Sequence, residues 1–188
     1  MSVTGSAPTF AVRVRARLTA VLLLMATVAV FLFERAYRVL EIEMSAVVLR
    51  MVSTFGVSVD PARPAVYFGL GSDHALGLTM TPECTSAFLI LPLFVVAAVL
   101  VLLRPPITGR VLRSLGLAAL ILFVVNQLRI LALAGLVDWL GTDRGYYWGH
   151  TLMGSVISII GGAAALVLFV WLATKQKTPA PARRAGTR

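Results

Sequence analysis

Four apolar runs divide the chain. Leu18–Phe33 lies between Arg13, Arg15 and Arg17 on one side and Glu34 and Arg35 on the other, Thr85–Leu103 is uncharged, Ser114–Val137 is broken only by Arg129, and Thr151–Thr174 carries no charge. At about 1.5 Å per helical residue, each crosses or nearly crosses a hydrocarbon layer of about 30 Å. The pattern predicts four membrane helices. Phe31-Leu32-Phe33-Glu34-Arg35 lacks the small residues of a signal-peptide cleavage site, so the first run reads as a retained span. Pro92 falls in the middle of the second run, a position that membrane helices tolerate.

The polar segment between the first two spans, residues 34–84, changes character halfway. Glu34 and Arg38 are spaced i, i+4, and Val39, Leu40, Ile42, Val47, Val48, Leu49 and Met51 supply the apolar positions of a helix lying in or near the membrane interface. After Gly56 come the β-prone pieces Val57–Asp60, Ala65–Leu70 and Ala75–Thr81, separated by Pro61, Pro64 and the turn Gly71-Ser72-Asp73-His74. These predict a small hairpin over the membrane surface. The expected fold is an all-α integral membrane protein: a compact bundle of about four transmembrane helices with a small extracytoplasmic helix and β-hairpin segment. Residues 18–174 form the single embedded domain, after a basic terminus (1–17) and before a disordered Pro/Ala/Arg tail (175–188).

Composition agrees with this. With 59% apolar and 13% charged residues and a mean hydropathy of +0.90, a water-soluble globule is excluded. The net charge of +9 invites a nucleic-acid reading until the positions are considered. Eleven basic residues (Arg13, Arg15, Arg17, Arg104, Arg110, Arg113, Lys175, Lys177, Arg183, Arg184 and Arg188) precede span one, separate spans two and three, or follow span four, and no acidic residue accompanies them. All eight acidic residues lie in the other two segments. The positive-inside rule then puts both termini in the cytoplasm, and the basic runs anchor to the inner leaflet and do not bind nucleic acid.

That topology brings three chemically capable side chains to one level. Cys84 opens span two at its outer end, and His150 opens span four at its outer end. Arg129 lies eight residues before Val137, about 12 Å below the outer end of span three, within reach of the interface along its own stem. The single cysteine excludes internal disulfides. A helix N-terminus favours a thiolate, although an apolar membrane protein also accommodates an inert buried thiol. His150 taken alone reads as an interfacial surface residue, but Gly154, Ser158 and Gly162 follow it at four-residue intervals and mark a closely packed face. An Arg inside a span points to function by its cost in lipid. Asn126, one turn before Arg129, either fixes the guanidinium through its carbonyl or makes a helix-to-helix hydrogen bond. Glu83 either orients His150 or the substrate or, as the plainer reading, is an exposed carboxylate, and Tyr146, Tyr147 and Trp148 read as an interfacial belt. Asp73, His74, Cys84 and His150 lack the short spacing of zinc ligands, so no metal or other cofactor is expected.

Cys84-Thr85-Ser86 at the start of one span, Asn126-Gln127-Leu128-Arg129 within the next and His150 at the start of the last resemble the exosortase/archaeosortase family of membrane transpeptidases, over about residues 56–174. The chain departs from the common Cys-Ser-Gly of that family, and from the larger span number of its well-known bacterial members. The resemblance implies a catalytic triad of Cys84, Arg129 and His150 on the outer face of a prokaryotic cytoplasmic membrane. It implies as substrate a secreted protein ending in a short motif, a transmembrane helix and a basic cluster. Cleavage would pass through a Cys84 thioester, and the product would go to an acceptor. Two other readings of the same residues are a non-enzymatic membrane assembly or transport protein, whose Arg129 and His150 line a polar pathway, and a thiol acyltransferase.

Overall fold

A computed structural model of the chain describes residues 10–53, 56–71, 75–141, 144–145, 147–148 and 154–175, without the side chains of Glu83 and Asp138. The elements are α1 (Phe10–Leu32), α2 (Glu34–Val52), β1 (Gly56–Asp60), β2 (Ala65–Leu70), β3 (Leu76–Thr79), α3 (Ser86–Leu103), α4 (Thr108–Leu140) and α5 (Gly154–Thr174). Single 3-10 turns, Pro82–Cys84 and Pro105–Ile107, lead into α3 and α4. Among the described residues, four helices, α1, α3, α4 and α5, are long and apolar enough to cross a membrane.

The helices exceed two of the apolar runs. α1 begins at Phe10, ahead of Leu18, and α4 extends past both ends of Ser114–Val137. Hydropathy marks the length that can sit in hydrocarbon, whereas Arg13, Arg15, Arg17, Arg110 and Arg113 are good helix formers that carry the helices beyond it. Pro92 lies inside α3 without ending it. Phe33 alone separates α1 from α2, and hydrogen bonds from Phe33 N to Ala29 O (2.9 Å) and from Tyr37 N to Phe33 O (3.1 Å) continue the ladder across the bend. Gly141 ends α4 with φ at 81°, where a side chain would be strained.

Two cores share α4. In the first, α1 packs on α3, α3 on α4 and α4 on α5. Alanines let the backbones approach: Ala16 and Ala20 of α1, Ala97 and Ala98 of α3 and Ala173 of α5 are all buried, with Leu122 and Phe169 filling the middle. Large apolar side chains such as Leu22, Met25, Leu120, Ile159 and Val167 cover the outside. The second core is built from Ile42, Ala46 and Leu49 of α2, Val66 and Phe68 of β2, Leu78 of β3, and Ile130, Leu133, Ala134 and Val137 of α4. With 33 residues, α4 is about 50 Å long, enough to serve both.

The segment expected to form a hairpin is a three-stranded antiparallel sheet in the order β1-β2-β3. β2 pairs with β1 through Asp60↔Ala65 and Ser58↔Tyr67, and with β3 through Ala65↔Thr79, Val66↔Leu78, Tyr67↔Gly77 and Phe68↔Leu76. The expected helix is α2, and its Glu34–Arg38 pair is bidentate, with contacts of 2.7 and 2.8 Å. Arg38 also donates to Met80 O at 2.9 Å, fastening α2 to the chain leaving β3.

Candidate active site

Cys84 owes its position to the turn before α3. Pro82 starts a 3-10 turn in which Cys84 N donates to Thr81 O at 3.0 Å and Thr85 N to Pro82 O at 3.4 Å. Thr85 then caps α3, its Oγ1 accepting from Ala87 N at 3.2 Å. Cys84 is therefore not the first residue of the span, as its place in the sequence suggests, but stands one residue ahead of the cap. Its half-buried sulfur is held by side chains: Thr81 Oγ1 donates to Sγ at 3.3 Å, and Arg129 donates to it through one terminal nitrogen at 3.5 Å.

Arg129 approaches from α4. Its other terminal nitrogen donates to Ser158 Oγ of α5 at 3.1 Å, so the guanidinium bridges the Cys84 turn and α5. Gly154 makes room for it: a Cβ there would lie 2.8 Å from Nε of Arg129. The small residues at 154 and 158 thus meet the arginine, and Gly162 approaches Leu89 of α3. His150 lies outside the described residues, as do Asp73, His74 and Tyr146. Among the described residues, no three His, Cys, Asp or Glu side chains gather where a metal could be held.

Cys84 and Arg129 are among the residues that line a small, partly open recess. The rest of its lining is mostly apolar, with Ile42, Val66, Leu78, Met80, Ile130 and Leu133 beside Thr79. β3 is an edge strand. The bond from Met80 N to Pro64 O (2.8 Å) fixes the alternation of the ladder, so Leu78 and Leu76 face β2 with their main-chain groups while Gly77 and Thr79 turn theirs outward. Gly77 also lets the Tyr67 ring lie against the strand, because a Cβ there would come within 2.5 Å of the ring.

Behind Cys84 is a polar cluster that the sequence reading missed. Glu41 of α2 is 0% exposed and accepts from four donors: Thr85 Oγ1 (2.5 Å), Ser86 N (3.1 Å), Ser86 Oγ (2.6 Å) and Asn126 Nδ2 (3.1 Å). Since Ser86 Oγ gives its proton to Glu41, Tyr37 donates to Ser86, at 2.8 Å. Burial pushes the Tyr37 hydroxyl above its ordinary titration range; the bond to Ser86 works against this and the Glu41 charge adds to it. Gln127 and Ser45 extend the cluster: Ser45 Oγ donates to Gln127 Oε1 at 2.6 Å, and Gln127 Nε2 donates to Glu41 O at 3.3 Å. Asn126, weighed as a partner of Arg129, here makes the helix-to-helix bond. The available signal was the spacing Tyr37, Glu41, Ser45, which puts three polar residues at i, i+4 and i+8 along one helix face. Compared with protein-family models, with curated proteins and with solved structures, the chain matches none.

Proposed function

We propose that the protein is a membrane-embedded cysteine protease or transpeptidase that acts on a secreted protein at the outer face of the cytoplasmic membrane, with Cys84 as nucleophile. The observation that carries this reading is the contact between the Arg129 guanidinium and Cys84 Sγ at 3.5 Å, both residues lining a small apolar recess. A fixed cation beside a thiol favours the nucleophilic thiolate. An inert structural cysteine has no use for it.

The chemistry then runs as follows. The thiolate attacks a peptide carbonyl, and the new carbon–sulfur bond leaves the oxyanion two bonds from Sγ, within reach of the same guanidinium. Collapse breaks the carbon–nitrogen bond, and the leaving amine takes the proton that His150 acquired from the thiol. An amine acceptor, or water, attacks the thioester and returns the sulfur as thiolate. Gly154, which packs on Arg129, follows His150 by only four residues, which favours giving the imidazole this role. The outward main-chain groups of Gly77 and Thr79 suit a substrate in extended conformation, since an open strand edge pairs with any peptide backbone. The apolar helices would lie in lipid, with both termini cytoplasmic and the sheet outside.

The test is the adduct on Cys84. The protein is expressed with secreted candidates ending in a short motif, an apolar helix and a basic tail, and Cys84 peptides are analysed by mass spectrometry after acid quench. A peptide thioester, absent from Cys84→Ala along with substrate cleavage, is the expected result. A fatty acyl adduct would instead identify an acyltransferase. Cleavage that persists in Cys84→Ala would rule out the nucleophile.

A further inference from the structure

We infer that Glu41 is the positioning residue of this site: its carboxylate ties the turn carrying Cys84 to the turn of α4 carrying Arg129, and so keeps the sulfur against the guanidinium. The inference rests on the reading that Cys84 is the reactive thiol held by Arg129. Glu41 touches neither residue. It binds Thr85 and Ser86, the two residues directly after Cys84, by three hydrogen bonds, and Asn126, one helical turn before Arg129, by a fourth. The two partners of the catalytic contact thus hang from a single carboxylate on a third helix.

The arrangement suits an anion. Ser86 N and Asn126 Nδ2 can only donate; Thr85 Oγ1 already accepts from Ala87 N and Ser86 Oγ is engaged by Tyr37, so all four groups present hydrogens to Glu41. A glutamine would turn an NH2 group toward at least one of these donors. A buried carboxylate without such partners is costly, so its retention here needs a reason. Stability alone does not supply one, since a well-packed apolar side chain would join α2 to α3 and α4 equally well. Only a charged clamp also fixes the direction in which the Thr85–Ser86 backbone, and with it Cys84, is presented.

Because Cys84 is the only cysteine, alkylation of the intact protein in detergent reads the site without knowledge of the substrate. The quantity is the ratio of the iodoacetamide rate at pH 7 to that at pH 10. It follows the thiolate fraction and divides out access to the sulfur, which a merely structural role would change. Arg129→Met should lower the ratio. Glu41→Gln should lower it to a similar extent, and the double variant no further, because the second change removes an interaction already lost. Losses that multiply, or a wild-type ratio in Glu41→Gln, would overturn the clamp. A ratio indifferent to Arg129 would overturn the Cys84–Arg129 reading itself, so the two failures are distinct. If Glu41→Gln does not fold, Ser86→Ala removes one of the four donors more gently; it should lower the ratio by a smaller factor, and an unchanged ratio there overturns the inference.

Discussion

Gly154 and Arg129 are in contact across the α4–α5 interface, with no room for a methyl group between them: a Cβ at 154 would lie 2.8 Å from Nε and 2.9 Å from a terminal nitrogen. The guanidinium is the end of a flexible chain, so it can retreat, but only by giving up Cys84 Sγ or Ser158 Oγ. Gly154→Ala should therefore reduce substrate processing by about tenfold or more while changing the melting temperature little, because alanine also strengthens the helix by up to about 1 kcal/mol. Cleavage of a tagged substrate and thermal unfolding, measured on the same preparation, check this.

Arg129→Lys keeps the charge and loses the planar fork that reaches two partners at once. Processing should fall at least about a hundredfold, the cost of one oxyanion donor, while the protein still inserts and folds. Near wild-type processing would show that Arg129 is an anchor rather than part of the chemistry, since a lysine snorkels equally well.

How much of this was legible beforehand differs between the two cores. The bundle is written in hydropathy, which one helix reveals without reference to any other, and the four runs are four of the helices. Arg129 was legible for the same reason: one charge in an apolar run has to be explained. Glu41 was not, because as an acidic residue in an external segment it is unremarkable until α3 and α4 supply its donors. Pro61 and Pro64 marked off β-prone pieces that read as a small hairpin, but the pairing of the third strand was not legible, because it sets Tyr67 against Gly77, a relation between residues ten apart that no local pattern encodes.

Tyr37 gives a signature at high pH. Its hydroxyl titrates above the ordinary value of about 10 in the folded protein, so the folded state holds the proton more tightly than the unfolded one. The stability this contributes is complete below the unfolded value and is lost as pH rises from there through the folded value. Unfolding followed between pH 9 and pH 11.5 should show a decline that Tyr37→Phe reduces, beside a pH-independent loss of about 1 kcal/mol for the hydrogen bond to Ser86. Identical slopes in the two proteins would contradict the assignment.

The distribution of charge predicts that reporters fused after Arg104 and after Lys175 are cytoplasmic, and that one inserted after Gly71 is external. A reporter after Arg104 found outside would invert the protein and remove the proposed site from the side on which secreted proteins are met.

α4 has a further consequence as an uninterrupted rod. No joint separates the part that packs in the bundle from the part that carries Arg129 and supports the sheet, so the distance of Arg129 from the Thr108 end of the helix is a fixed length. The lipid layer around such a rod has no fixed length. A thicker bilayer would rise toward Cys84 and close the mouth of the recess with acyl chains, whereas a thinner one would leave the catalytic level standing in water, each at a modest cost per ångström of mismatch. If the proposed reading holds, substrate processing would respond to bilayer thickness and be greatest where the bilayer brings the cleavage point of a substrate to the level of Cys84.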